Sequence, residues 1–320
     1  MDHVIGVNIG CGDGAMQNTV LILGATGRAG RHAHIAFRDA GWRVRLFDRA
    51  RDDLWDAAWG ADVIFNGWNP AYSDWAREIP AQTTALIDVA EATGALVVIP
   101  GNVYPYGQSA GRMGPMTPHV PTGALGKVRA DMEAAWAASR ARVLVLRCGD
   151  FLDTEASGNW FDKVIVAGLD RGRFSYPGAL DVSHAWAFLP DVGRALVQLV
   201  EKRHSLPRFA DIPFAGFTLT GLELSDGVAR ATARRHILRR MSWLPLGMAA
   251  PFWPVGRCLQ QMRYLWDLPH WLDPDPLKKL LPDFRGTDLE TALALAVAHQ
   301  IDPDKPVTRG PLYIGRARIA

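Results

Sequence analysis

The sequence predicts an α/β fold: a doubly wound parallel sheet with a smaller, mainly C-terminal region laid on it. Three observations predict it. Between Thr19 and Arg147, strand-like runs alternate with helical stretches of roughly 10–15 residues, the pattern of βαβ units. A glycine-rich turn, Gly24 to Gly30, stands between the first strand and the first helix. After Asp150 the alternation loosens, so the sheet is expected to be built mostly by the first half.

Thr19–Leu23 reads as the first strand and Ala29–Ala40 as the first helix. Trp42–Phe47 and Ala61–Asn66 read as strands. Ile79–Thr93 carries Ala85, Leu86, Val89 and Ala90 at helical spacing. Leu96–Ile99 is a short, mostly β-branched strand, Lys127–Ser139 a helix, and Arg142–Arg147 a strand. Right-handed crossovers then wind the helices onto both faces of the sheet. Pro190–Lys202 is a helix with proline near its start, where the missing N–H costs little. Glu223–Met241 reads as a second long helix, Met241–Pro276 as irregular and rich in Trp and Pro, and Asp288–His299 as a short Ala/Leu helix.

The chain has 320 residues, about two domains at ~150 residues each. Apolar residues make up 48% and charged residues 21%, enough to build a core. A net charge of +2 is too balanced to capture nucleic acid by charge alone, so no nucleic-acid partner is expected. Cys11, Cys148 and Cys258 are too few and too far apart for a disulfide framework or a metal pair. That usage favours a reducing compartment. The N-terminus lacks a basic region followed by an apolar run, and Asp2 and Asp13 lie where such a run would be. The uncharged stretch Met241–Gly256, rich in Trp and Pro, is shorter than the ~20 residues a span needs and holds Pro245, Pro251 and Pro254. A cytoplasmic location is therefore expected.

Residues 1–15 read as an extension, with Met16 as an alternative start. Val7 to Gly14 resembles the glycine-rich first loop of methyltransferases, but a strand rather than a helix follows it. The loop Gly24-Ala25-Thr26-Gly27-Arg28-Ala29-Gly30 has the required context, after a strand and opening a helix. Glycines so spaced let the chain turn tightly and let backbone N–H groups approach a pyrophosphate at the helix N-terminus. Residues 16–204 are thus expected to form a Rossmann-type NAD(P)-binding domain. Residues 205–320 form the substrate or lid region, interleaved with it. About twenty residues past the glycines, Asp48 suits a ribose 2′-hydroxyl and NAD. Arg49 and Arg28 suit the 2′-phosphate of NADP. Two arginines tip the expectation slightly to NADP.

The chain resembles the extended short-chain dehydrogenase/reductase family, in its NAD-dependent epimerase/dehydratase branch. The likeness rests on Gly24–Gly30, Asp62 to Asn66, Gly101-Asn102-Val103-Tyr104, Gly126 to Glu133, the strand ending at Arg147, and Leu189 to Ala195. These pieces follow the family's order across roughly Thr19 to Val200. The resemblance implies a Ser–Tyr–Lys set in which a lysine lowers the tyrosine's pKa and a serine orients the substrate oxygen. This chain departs from it. Aligning Gly126–Glu133 on the family segment puts Leu125 at the tyrosine position and Arg129 at the lysine position. The alternative register puts Gly123 and Lys127 there, and the serine position falls on Pro100. An aliphatic side chain cannot move a proton.

Substitutes stand nearby. Tyr104, with Tyr106 as a second phenol, and Lys127 are the catalytic candidates. Asn66 (with Asn69), Asn102 and Arg129 join Gly24, Thr26, Gly27, Arg28, Gly30, Asp48 and Arg49 as the cofactor-binding set. His32 and His34 point to different helix faces and His184 and His204 are isolated, so no metal is expected. No Gly-x-Ser-x-Gly elbow supports a serine hydrolase. Arg230, Arg234, Arg235, Arg239 and Arg240 read as a basic helix leading into Trp243–Trp253. A lid over a small-molecule substrate is favoured there, and contact with an anionic membrane surface through 230–256 is the lesser alternative. The functional expectation is an NAD(P)-binding oxidoreductase or epimerase/dehydratase-type enzyme acting on a small organic substrate. Its alternative is a non-catalytic dinucleotide-binding protein, a redox sensor or an assembly factor.

Overall fold

The computed structural model describes Gln17 to Ile301. The Val7–Gly14 stretch and the choice between Met1 and Met16 lie outside the described residues. Six strands form one parallel sheet: β1 (Thr19–Leu23), β2 (Arg43–Phe47), β3 (Val63–Asn66), β4 (Leu96–Gly101), β6 (Arg142–Arg147) and β10 (Phe209–Pro213), in the order β10-β6-β4-β3-β1-β2. Side chains alternate between the two faces. Leu21, Ile64, Val97 and Val143 pack under α3 (Trp75–Thr93) and α4 (Ala124–Ala138). Val20, Val63, Val98 and Leu144 pack on α1 (Arg28–Asp39) and α5 (Leu189–Glu201). Helices on both faces explain why every residue of β1 is buried. The strand order reverses between β1 and β3, and a crevice opens beyond their carboxyl ends.

Three smaller sheets surround the first. They pair β7 (Asp150–Leu152) and β11 (Phe217–Leu219) with β9 (His184–Phe188), β5 (Gly111–Met113) with β13 (His270–Leu272), and β8 (Arg173–Tyr176) with β12 (Ile237–Arg240). The remaining helices are α2 (Leu54–Ala58), α6 (Gly221–Thr232), α7 (Leu244–Ala249), α8 (Pro254–Gln261), α9 (Asp275–Leu280) and α10 (Leu289–Val297). A third core of Phe161, Phe174, Trp186, Trp266 and Leu293 fills this region. β10 falls after residue 204 yet joins the central sheet, while β7, β8 and β9 fall before it and do not.

The long basic helix expected over Glu223–Met241 is two elements. A capping box between Thr220 and Glu223 starts α6, and Ala233, at φ 51°, ends it. The apolar stripe of α6 runs through Leu224 and Val228 against α10, and its next turns would bring Arg235 and Arg239 to that core. The chain reverses instead, and Arg239 and Arg240 lie on strand β12 beside β8. The Met241–Pro276 stretch is likewise more ordered than expected, folding into α7, α8 and β13. Among the described residues, no helix is long and apolar enough to cross a membrane.

Candidate active site

The crevice at the switch point begins in the glycine loop. Gly24 has φ +72°, and a Cβ there would lie 2.7 Å from the Gly67 carbonyl oxygen. A Cβ on Gly30 would lie 2.1 Å from the Gly24 carbonyl oxygen. These glycines let α1 close against β1 and the turn after β3. Gly27 is the N-cap of α1, and no side chain caps it. The first-turn N–H groups thus open onto a cleft of about 500 Å³ that runs past Thr26, Gly27 and Arg28 to Tyr72, Tyr104, Arg129 and Asp150. A second cavity of about 410 Å³ lies apart, under Phe214 and Phe284. Its buried carboxylate, Asp191, is already held by Arg194 and Thr287, and no glycine-loop residue lines it.

Asn66 and Asn102 line the cleft, and each side-chain oxygen accepts a backbone N–H, from Trp68 (3.2 Å) and Tyr104 (3.1 Å). The Arg129 guanidinium lies 4.4 Å over the Trp75 ring and donates to Asn69 Oδ1 at 2.9 Å. Burial lowers its pKa from the ordinary guanidinium value. Lys127 is elsewhere: its side chain is 69% exposed and bonds Asp131 at 2.8 Å. Two residues apart on a helix, Lys127 and Arg129 face different ways. Arg28 also differs from expectation. Its Nε donates to the Ser157 carbonyl (2.9 Å) and its Nη2 to that of Gly158 (3.0 Å), tying down the loop after β7. Arg31 and His32 hold the same loop through Asp153, each at 2.8 Å. At the end of β2, Asp48 accepts from the Ala50 N–H at 3.0 Å, and Arg49 lies 5.1 Å over Trp68, which lines the cleft.

Tyr104 does line the cleft, and its hydroxyl is 3.0 Å from that of Tyr72. Burial raises the pKa of both phenols, Tyr104 well above its ordinary value. Neither is a base near neutrality. Both are hydrogen-bond donors.

The sequence reading missed Tyr72 and the group behind Asp150. Asp150 Oδ2 is 2.7 Å from His184 Nε2, and the Asp150 side chain is 30% exposed. The His184 ring lies flat on Trp266 at 4.4 Å and edge-on to His270 at 4.5 Å. Burial first, and the neighbouring His184 second, push the His270 pKa down to about 3. His270 Nδ1 faces the Leu268 carbonyl at 2.9 Å, which assigns its proton to that nitrogen. Asp150 had one sequence signal, its place just past the carboxyl end of a sheet strand, where such folds bind ligands. Tyr72 and His184 arrive by tertiary folding alone.

His270 has a consequence for stability. The unfolded imidazole gains its proton near 6.5, and the folded one only near 3. Protons then favour the unfolded state throughout that window, so stability falls as pH falls. Denaturation between about pH 6 and about pH 4.5 should show His270→Gln losing less stability than wild type, by up to about 1 kcal/mol per pH unit. Equal pH slopes would show that His270 titrates normally.

No family model matches the chain, and no curated protein matches it by sequence. Solved structures do match. "MoeE5 in complex with UDP-glucose and NAD" is 18% identical, with a TM-score of 0.68 over 88% of this chain and 98% of that one. The GalE-like L-threonine dehydrogenase from Cupriavidus necator, in its apo form, is 16% identical, with a TM-score of 0.69 over 89% and 100%. UDP-glucose 4-epimerase from Brucella ovis, in complex with NAD, is 17% identical, with a TM-score of 0.66 over 88% and 98%. At these identities the likeness is one of fold: the chain has the doubly wound architecture of those three proteins.

Proposed function

We propose that this chain binds a nicotinamide dinucleotide in the Gly24–Gly30 cleft. It works there as an oxidoreductase or epimerase/dehydratase-type enzyme, of the extended short-chain dehydrogenase/reductase kind, on a small organic substrate. One observation carries the proposal. The uncapped N-terminus of α1 opens onto a cleft whose far end gathers two phenols, a guanidinium and a carboxylate. Two of the three structures compared above are NAD complexes of the same fold.

The residues fit the group. A pyrophosphate needs backbone N–H donors and close approach, and the glycine loop supplies both. The slight preference for NADP rested on Arg28 and Arg49. Arg28 is held by two carbonyls of the loop after β7, so we assign NAD, with Asp48 toward the adenosine ribose.

When bound, a nicotinamide supplies hydride acceptance and return. The chain's residues do the remaining work. Tyr104 and Tyr72 stay protonated; one hydroxyl donates to the other, and the one that accepts keeps its own proton for a substrate oxygen. Arg129 lends positive charge at the same end and holds Asn69. Asp150, braced by His184, accepts the proton of a substrate hydroxyl at its carboxylate. Pro100, Leu125 and Lys127 take no part. The loop held by Arg28, Arg31 and His32 covers the glycine-loop end and limits water there.

Asp150→Asn tests the assignment. It should lower kcat by about 10²–10⁴-fold and leave the NADH dissociation constant within about twofold, because Asp150 lies beyond the phosphate cradle. Unchanged kcat would remove Asp150 from the chemistry. Dinucleotide binding without turnover of any alcohol or nucleotide sugar would favour the non-catalytic alternative.

A further inference from the structure

The forty residues from Gly227 to Trp266 contain seven arginines and neither aspartate nor glutamate, in a chain whose net charge is only +2. The net positive charge is thus concentrated in one segment, and the remainder of the chain is net negative. Within that segment α7 and α8 make a short hairpin with two unlike sides. Inward, Trp243 is buried and donates through Nε1 to the Pro177 carbonyl at 2.6 Å. Outward, Leu244 (68% exposed), Met248 (64%), Phe252 (91%) and Trp253 (44%) face solvent together at the hairpin tip.

A lid would turn these side chains onto the substrate cleft. The cleft is lined only by residues from Thr26 to Ser157, and none comes from the hairpin. Four of the seven arginines instead adjoin the hairpin in sequence or in space. Arg257 follows Trp253 by one turn of α8, and Arg263 lies 5.6 Å from the Trp243 ring. Arg239 and Arg240 are exposed on β12 just before α7.

We propose that the α7–α8 hairpin is a docking surface for an anionic lipid bilayer. The apolar tip enters the headgroup–acyl boundary, and the exposed Arg239, Arg257 and Arg263 pair with lipid phosphates. Exposed aromatic and aliphatic side chains on a small convex tip, ringed by cations, suit that boundary. A second copy of the chain suits it less. A two-fold interface through this face would bring the same arginines against each other.

Flotation of the full-length protein with vesicles tests the proposal. One set is pure phosphatidylcholine, the other carries about one-third phosphatidylglycerol, since anionic lipid attracts juxtamembrane cations. Binding is expected to the anionic vesicles only and to weaken with salt. Phe252→Ser with Trp253→Ser should lower it by at least about tenfold, and Arg257→Glu by several-fold. These exposed sites leave the core intact, which NADH binding by the same variants checks independently of the membrane claim. Absence of binding to anionic vesicles at low salt overturns the proposal, and so does equal binding to both sets. Self-association of the wild type that the Phe252/Trp253 variant abolishes also overturns it, making the tip an interface between copies.

Discussion

Arg147→Met is expected to destabilise the fold by about 3–5 kcal/mol, read as a shift in the urea unfolding midpoint. The side chain is fully buried at the end of β6. Its Nη2 lies 2.7 Å from Glu133 Oε2 and 2.7 Å from Asp211 Oδ2, and Nη1 lies 2.5 Å from the Asn102 carbonyl. The guanidinium also lies 4.9 Å over the Tyr106 ring. Methionine fills much of the volume but leaves two carboxylates facing each other with their cation gone. Breaking a buried pair costs far more than the pair contributes net, because the stranded charge keeps its desolvation penalty. Adding Glu133→Gln and Asp211→Asn to the Arg147→Met background should restore a large part of the loss. A loss below about 1 kcal/mol for Arg147→Met would show that water, or the His119 imidazole 3.6 Å from Glu133 Oε2, compensates the carboxylates.

Gly27→Asp is expected to lower dinucleotide affinity by at least about 100-fold, about 2.7 kcal/mol, while keeping the fold. Gly27 is an N-cap with φ −77° and ψ 164°, a conformation aspartate adopts readily at that position. Its Cβ would meet the Gly24 carbonyl oxygen at 3.2 Å, a contact that a few tenths of an ångström relieves. The new carboxylate would accept the first-turn N–H groups of α1, which should hold or raise stability by up to about 1 kcal/mol. It would also place a fixed negative charge where the pyrophosphate belongs. Stability and affinity therefore move apart, which general damage to the fold would not produce. Unchanged NADH affinity in this variant would mean that the dinucleotide does not use the helix terminus.

Much of the scaffold was legible in the sequence. β1 and β6 hold unbroken apolar runs, Val20–Leu23 and Val143–Leu146, and their bounds match expectation because a strand covered on both faces has an apolar centre with no alternation to blur it. The glycine loop was legible for a similar reason, since close approach at Gly24 and Gly30 permits no other residue. The Glu223–Met241 helix misled because arginine is a good helix former, and only the clash of its apolar stripe with Arg235 and Arg239 ends it. Within the site, Lys127 and Arg129 both stood as sources of positive charge, although the stripe Leu125, Arg129, Met132, Glu133 and Trp136 already marked the inward face of α4. Tyr72, Asp150 and His184 are separated by more than a hundred residues from first to last, and only the fold brings them to one cleft.

The most direct measurement is a titration of the purified full-length chain, wild type and Gly27→Asp, with NADH and with NADPH, followed by nicotinamide fluorescence. The account predicts saturable binding of NADH by the wild type, weaker binding of NADPH, and loss of both in Gly27→Asp. Failure of both dinucleotides to bind the wild type, or undiminished NADH binding by Gly27→Asp, would contradict it.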